Sequence, residues 1–287
     1  FLSKEGADIC SREGLNVTNQ HIWASDIFSG HYLIDGIYRT ITGTLKVLRI
    51  QTNEGDIVLS SSDFLPDAIP AFILKLKNPQ VKWIASFYLF APKPWQKNSP
   101  YKGTKYFLGL VYWLSQLPAY YIIKKFADIV FVTSQPDIKP FITKYRCIKK
   151  IISVRGGVDV LPARQYFEQE EFIPVENRYY DACFVGRFHY QKGILELIRI
   201  WKVVCNKKPK CRLALIGTGP LEGEIQSLIN KMGLNSNIIL LGFLNGIKKF
   251  DVFKQSKIIL HPAIYDSGGM ATAEAMAWGL PGVSFDL

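Results

Sequence analysis

A chain of 287 residues has room for one large or two medium domains. Hydrophobic residues make up 48% of it, enough for a packed core, and that composition excludes a disordered chain. Lys and Arg (35) outnumber Asp and Glu (24), and the net charge of +11 favours anionic partners: nucleic acid, a membrane surface or phosphorylated small molecules.

The chain opens on Phe1, with no initiator Met, and closes on GVSFDL, a strand with no exit. Both ends read as cut, and a piece of a longer protein is expected. The first clear pattern is DIVLSSS (56–62), a strand followed by a turn. PDAIPAFILKLK (66–77) follows as a helix with Pro66 and Asp67 in its first turn. VKWIASFYLF (81–90) is a buried strand. YFLGLVYWLSQLPAYYII (106–123) carries no charge over 18 residues and is flanked by Lys102, Lys105, Lys124 and Lys125. It reads either as a core or inter-domain helix, or as a membrane-surface helix with basic flanks and interfacial aromatics. A true span is disfavoured by Ser115, Gln116 and Pro118 in its middle and by its place between strands of one sheet. ADIVFVTS (127–134) and KKIISVRGGVD (149–159) are further strands, the second ending in a Gly turn. From 160 to 177 the pattern lapses into a polar, acidic stretch, the candidate linker.

The second half alternates cleanly. YDACFVG (180–186), CRLALIG (211–217), NIILLGFL (237–244), KIILHPA (257–263) and PGVSFD (281–286) are strands. Between them lie helices at GILELIRIWKVVCNK (193–207), PLEGEIQSLINKMGL (220–234), KKFDVFKQS (248–256) and GGMATAEAMAWG (268–279). In the first of these helices Leu195, Ile198, Trp201 and Val204 fall on one face. Apolar strands alternating with helices predict parallel sheets in an α/β protein. The expected domains are 1–165 and 176–287, joined near 170. The five cysteines (Cys10, Cys147, Cys183, Cys205, Cys211) form no CxxC pair and read as reduced thiols in a cytosolic setting. Asn16-Val17-Thr18 matches a glycosylation acceptor, a triplet common by chance.

Three loops carry chemistry. GRFHYQKG (186–193) lies between a strand and a helix, at the carboxyl edge of a parallel sheet, where open α/β folds bind ligands. Arg187 and Lys192 read either as a converging pair of cations for a diphosphate or as solvated loop cations. IGTGP (216–220) also follows a strand, and Gly217 and Gly219 permit close approach to a phosphate or base, or make a plain βα turn. In YDSGGMATAEAMAWGLPG (265–282), Gly268 and Gly269 leave backbone N–H groups open at a helix N-terminus. Asp266 reads as a hydroxyl acceptor or an N-cap, and Glu274 as a second acceptor or an exposed helix position. At the helical rise, Glu274 stands roughly 7 Å beyond a helix start at Gly269. Cations, a glycine turn and two acceptors on one sheet edge point to a nucleotide sugar: a diphosphate between two polyols.

With those motifs quoted, the chain resembles the family 4 (group 1) retaining glycosyltransferases of GT-B fold, from about 126 to the end closely and over 56–94 more loosely. The resemblance rests on Gly186-Arg187 to Lys192-Gly193, on Asp266 to Glu274 followed by EAMAWGLPG, and on Arg155-Gly156-Gly157-Val158-Asp159. It implies two Rossmann-like parallel-sheet domains facing a cleft, incomplete at the start of the first domain and at the end of the second. Arg187 and Lys192 would then bind the donor's diphosphate and stabilise it as it leaves. Asp266, where the family has Glu, would hold hydroxyls of the donor sugar, and Glu274 the ribose hydroxyls. Backbone at Gly186, Gly268, Gly269 and Met270 would contact sugar or phosphate, and Gly242, Phe243 and Leu244 the base. Many relatives carry a His within a stretch resembling WIASFYLFAPKP; none is present here, and Leu89 takes that place.

The implied activity is a retaining hexosyltransferase of glycan biosynthesis that moves a sugar from a nucleotide-diphosphate sugar to a saccharide or lipid-linked acceptor. The alternative is a catalytically degenerate or other GT-B-like nucleotide-sugar-binding protein. No D-x-D pair exists in the chain and His21, His31, His189 and His261 are scattered, so no metal and no cofactor is expected beyond the donor substrate. Acceptor candidates are the Ser60-Ser61-Ser62-Asp63 turn, otherwise a helix-entry cap, and the run FYLFAPKPWQK. The basic charge and the Lys-flanked apolar segment point to an anionic membrane surface as partner. The expected location is the cytoplasm, peripheral on the cytoplasmic face of a membrane. No nucleic-acid motif appears, and none is expected as partner.

Overall fold

The computed structural model describes residues 8, 10–11, 14, 32–97, 99–144, 150–168 and 172–285. Asn16-Val17-Thr18, His21, His31, Cys147 and both chain ends lie outside these residues. The chain divides into two compact units: Phe1–Trp95 with Tyr101–Arg155, and Gln96–Pro100 with Gly156–Leu287.

The first unit contains helix α1 (Tyr32–Val47), strand β1 (Ile57–Ser60), helix α2 (Leu65–Lys77), β2 (Lys82–Phe87), α3 (Tyr106–Phe126), β3 (Ile129–Val132) and β4 (Ile151–Ser153). Its sheet is parallel with order β1-β2-β3-β4. Alternation along the strands turns Trp83, Ala85, Phe87, Val130 and Val132 to one face. There they meet Ala68 and Ala71 of α2 and Ala119 and Ile123 of α3. The other face leaves Ile57, Leu59 and Ile152 exposed. Asp128 locks the start of β2: its Oδ2 accepts from Trp83 N at 2.7 Å and pairs with Lys75 at 2.9 Å. The sequence reading named no element before 56; α1 is added by the structure, packed on α2.

The second unit holds α4 (Leu161–Phe167), β5 (Ala182–Val185), α5 (Ile194–Lys207), β6 (Leu213–Ile216), α6 (Glu222–Met232), β7 (Ile238–Gly242), α7 (Ile247–Lys254), β8 (Ile259–His261), α8 (Met270–Ala277) and β9 (Gly282–Ser284). The order β7-β6-β5-β8-β9 is all parallel and reverses direction between β5 and β8. Both faces are covered. Ala182, Phe184, Leu213 and Leu215 pack under α5 and α6, while Cys183, Ala214, Ile216 and Ile259 pack under α4, α7 and α8. Each βαβ step on one side of β5 places its helix on one face, and the steps beyond the reversal place theirs on the other.

Two expectations change. The division falls at Arg155/Gly156, ahead of the boundary set at 165–176. The reason is α4: Ala163 and Tyr166, three residues apart, are buried in the second core, Tyr166 lies 5.6 Å from the Trp278 ring, and its hydroxyl accepts from Ile173 N at 2.8 Å. The acidic neighbours hid that pair. The uncharged segment forms α3, three residues longer than read, with Gly109, Gln116, Ala119 and Ile123 buried and Phe107, Leu108, Leu114 and Tyr121 exposed. Among the described residues no helix is long and apolar enough to cross a membrane.

Candidate nucleotide-sugar site

The carboxyl ends of β5, β6 and β7 release loops that, with α7 and α8, line a cavity of about 850 Å³ in the second unit. Parallel strands aim their carbonyl ends, and the N-termini of the helices that follow, at this edge. Gly186 and Arg187 line the cavity from the β5 loop, Gly217, Thr218 and Gly219 from the β6 loop, and Phe243, Leu244 and Asn245 from the β7 loop. Lys249 on α7 and Met270, Ala271 and Glu274 on α8 complete much of the wall, with Gly157, Val158 and Asp159 beside them. Of the residues singled out from sequence, Gly186, Arg187, Gly217, Gly219, Phe243, Leu244, Met270 and Glu274 line this cavity. Lys192, Gly242, Asp266, Gly268 and Gly269 stand outside its lining.

The loops interlock through backbone. A Cβ on Gly217 (φ +148°) would lie 1.9 Å from the carbonyl oxygen of Gly186, and one on Gly219 would lie 2.5 Å from that of Phe188. The protein's own packing therefore demands these glycines, besides any ligand that approaches them. At the far end of the β5 loop a single 3-10 turn, Tyr190–Lys192, ends on Gly193 in the left-handed region (φ +61°). A Cβ there would meet the carbonyl oxygen of Pro262 at 1.8 Å, so the β5 and β8 loops press together across the strand reversal.

That contact brings Lys192 to Asp266. Nζ of Lys192 donates to Oδ2 of Asp266 at 2.7 Å, His261 Nε2 approaches the same oxygen at 3.2 Å, and Ser267 N donates to Oδ1 at 2.8 Å. Burial pushes the Asp266 carboxyl up; the hydrogen bonds from His261 and Lys192 and the Lys192 charge outweigh it, and the group sits well below the usual carboxylate range. The sequence reading placed Lys192 and Asp266 on different parts of a ligand, and the structure joins them. Nor does Asp266 cap α8: the N-cap is Gly269, without a side-chain bond.

Glu274 also has a cation. Lys249 Nζ stands 2.7 Å from its Oε2, with the two side chains only 14% and 23% exposed. Sequence reasoning missed Lys249 and His261. A signal for Lys249 was present: it lies three and four residues before the buried Val252 and Phe253, on the inward face of a short helix. His261 ends β8, and its role depends on the β8 loop folding back, which no local pattern announces.

In the first unit the SSSD turn is built as a helix entry. Ser61 and Ser62 hydroxyls donate to Asp67 Oδ2 at 2.9 and 2.6 Å. Buried Asp63 accepts from Gln116 Nε2 at 2.7 Å and from Tyr88 N at 3.3 Å, and burial pushes its carboxyl up. Gln116 also donates to Leu89 O and accepts from Ala91 N, both at 2.7 Å, so α3 pins the FYLFAP stretch.

Comparison with known proteins adds to this geometry. Residues 166–287 match the family model described as glycosyl transferases group 1. That segment contains the β5, β6, β7 and β8 loops. An uncharacterized glycosyltransferase of Methanocaldococcus jannaschii is 29% identical over 257 residues, covering 87% of this chain and 60% of that protein. The gpi3 subunit of phosphatidylinositol N-acetylglucosaminyltransferase from Schizosaccharomyces pombe is 30% identical over 96 residues, 33% of this chain and 21% of that one. The chain thus spans at most about 60% of the length of these relatives. Among solved structures, Anabaena HepE in complex with UDP and glucose aligns with a TM-score of 0.59 at 16% identity, covering 97% of this chain and 69% of that one. TarM from S. aureus, solved with UDP, aligns at 0.61 and 15% identity, covering 86% and 45%. The shared fold is the pair of Rossmann-like parallel-sheet units of GT-B glycosyltransferases.

Proposed function

We propose that this chain belongs to a retaining hexosyltransferase whose donor, a nucleotide-diphosphate sugar, binds in the second unit. One observation carries the reading: the β5, β6 and β7 loops and α8 enclose a cavity that holds Arg187, Lys249 and Glu274, within the segment that matches the glycosyl transferase family. Arg187 offers a planar fork and Lys192 a point charge to the diphosphate. An ammonium has three donors, so the bond from Lys192 to Asp266 leaves two for phosphate oxygens. In the reaction the bond from the sugar's anomeric carbon to the phosphate oxygen breaks, the acceptor oxygen takes its place on the same face, and the acceptor hydroxyl's proton passes to the departing diphosphate. Negative charge grows on the departing diphosphate, and preorganised cations stabilise it. No metal or cofactor takes part in this reading. Asp266, held ionised, accepts from a sugar hydroxyl through the lone pair on Oδ1 that Lys192, His261 and Ser267 leave open.

A thermal-shift and titration panel of UDP, GDP and ADP sugars tests the reading. One nucleotide series is expected to bind, and Glu274→Ala and Lys192→Ala are each expected to weaken it by about 10- to 100-fold, the scale of a charge-assisted hydrogen bond. Both variants binding donor as the parent does would remove the site assignment.

The acceptor is a saccharide or a lipid-linked one at an anionic membrane surface. Support comes from the exposed Phe107, Leu108 and Tyr121 of α3, the net charge of +11 and the similarity to a subunit named for transfer to phosphatidylinositol. Co-sedimentation with vesicles containing anionic lipid is expected and should weaken with salt. Absence of salt-sensitive binding would sink the membrane part alone.

A further inference from the structure

We propose that Lys249 is the positioning residue that makes the second unit's nucleotide site selective for ribose, by fixing Glu274. The inference rests on the donor-site reading above and gives Lys249, which that reading only places in the cavity wall, a role of its own. Lys249 stands in the first turn of α7 and Glu274 in α8, and both line the cavity. Nζ of Lys249 holds Oε2 of Glu274 at 2.7 Å. Among the described residues the Glu274 carboxylate has no other hydrogen-bond or ion-pair partner.

The chemistry follows from the inventory of lone pairs. A carboxylate offers about four acceptor positions on two oxygens. With Oε2 engaged, Oε1 keeps two, which suits the vicinal 2′ and 3′ hydroxyls of a ribose. A free glutamate would sample several rotamers and would bond a single hydroxyl nearly as well. The ammonium removes that freedom in a wall where both partners are largely covered. The Lys249 stem is held too, since Nζ lies 5.6 Å from the Phe250 ring centroid and Phe250 stacks on Trp278 at 4.9 Å. A site built to bond a hydroxyl discriminates sharply against the analogue that lacks it, provided its acceptor is fixed.

A plain stabilising ion pair would give the same distance, so the test must read selectivity. Isothermal titration would compare the nucleoside diphosphate that binds best (UDP, GDP or ADP) with its 2′-deoxy counterpart. The parent is expected to prefer the ribonucleotide by about tenfold or more, one charged hydrogen bond's worth. Lys249→Met should flatten that preference to about twofold, with melting temperature followed alongside, and Lys249→Arg should restore it. Lys249→Gln, which keeps a donor and drops the charge, reads the same effect if the Met variant does not fold. A variant that melts lower yet keeps the parent's ribose preference overturns the proposal while leaving the donor site standing. A parent that binds no nucleoside diphosphate overturns both.

Discussion

Two sheets of the same kind are built to different depths in this molecule. In the second unit, strand order reverses at β5/β8 and helices cover both faces, so Leu213, Leu215 and Ile216 are all buried to 1% exposure or less. In the first unit the strands follow in sequence order, one core lies on one face, and Ile57 and Leu59 are 66% and 59% exposed on the other. The consequence is chemical. A reversal sends the helices that follow β5 and β8 to opposite faces of the sheet and opens the carboxyl edge beside them; a sequential run does not. The cavity and the Lys192–Asp266 pair both belong to the unit with the reversal.

The loop contact at that reversal is the place to break the comparison hardest. Gly193→Ala puts a side chain on the Pro262 carbonyl and an L-residue in the left-handed region. Backbone cannot yield as a flexible side chain can, and a loss on the order of 3–5 kcal/mol in urea unfolding is expected for the second unit. Gly223→Ala is the control: it sits inside α6 with open space around its Cβ, and a gain of about 0.5–1 kcal/mol is expected. Equal effects from the two would mean the β5 and β8 loops do not press together.

How much of this was legible beforehand depends on where the information lies. The strands announced themselves because both-face burial in a parallel sheet needs unbroken apolar runs such as ACFV and LALI. The loops were legible because phosphate chemistry and tight loop packing both ask for glycine beside Arg or Lys, as in GRFHYQKG. Pairing was not legible: Lys249 and Glu274 are 25 residues apart, Lys192 and Asp266 74, and only the fold decides which cation meets which acid. Helix α1 escaped for the opposite reason. Its bulky residues Ile34, Ile37, Ile41 and Leu45 recur at helical spacing and were legible, yet they face outward, while a Cβ on Gly43 would lie 3.1 Å from the Pro70 ring of α2.

Two aspartates, Asp63 buried and Asp266 half-buried, set the units against each other with an effect of intermediate size. Asp266 is surrounded by Lys192 and His261, and its carboxyl is held low; Asp63 meets only neutral donors and the nearby Asp67, and its carboxyl is pushed up. For Asp266 the folded value lies below the unfolded one, near 3.8, so its contribution is present above that pH and is lost as pH falls through the folded value. For Asp63 the sign is reversed: its contribution is present below the unfolded value and is lost as pH rises through the folded one. Asp266→Asn should therefore cost on the order of 2 kcal/mol at pH 7, and the gap to the parent should narrow below pH 4. Asp63→Asn should differ least from the parent at neutral pH, where the parent carboxylate is least favourable, and most in acid. Denaturant melts of the parent and the two variants across pH 3–7 decide this; parallel curves for both variants would contradict the opposite shifts.

The smallest effect is expected where the first unit's sheet is exposed among the described residues. Leu59→Thr keeps a residue suited to a strand and removes two methyl groups that water already reaches, so a change within about 0.5 kcal/mol is expected. Its counterpart in the doubly covered sheet, Leu215→Ala, empties a fully buried position and should cost about 2–5 kcal/mol. The ratio between the two matters more than either value, because it measures the second layer directly. A large loss from Leu59→Thr in the intact chain would mean that the outer face of β1 is covered in solution, and that the two sheets are buried alike.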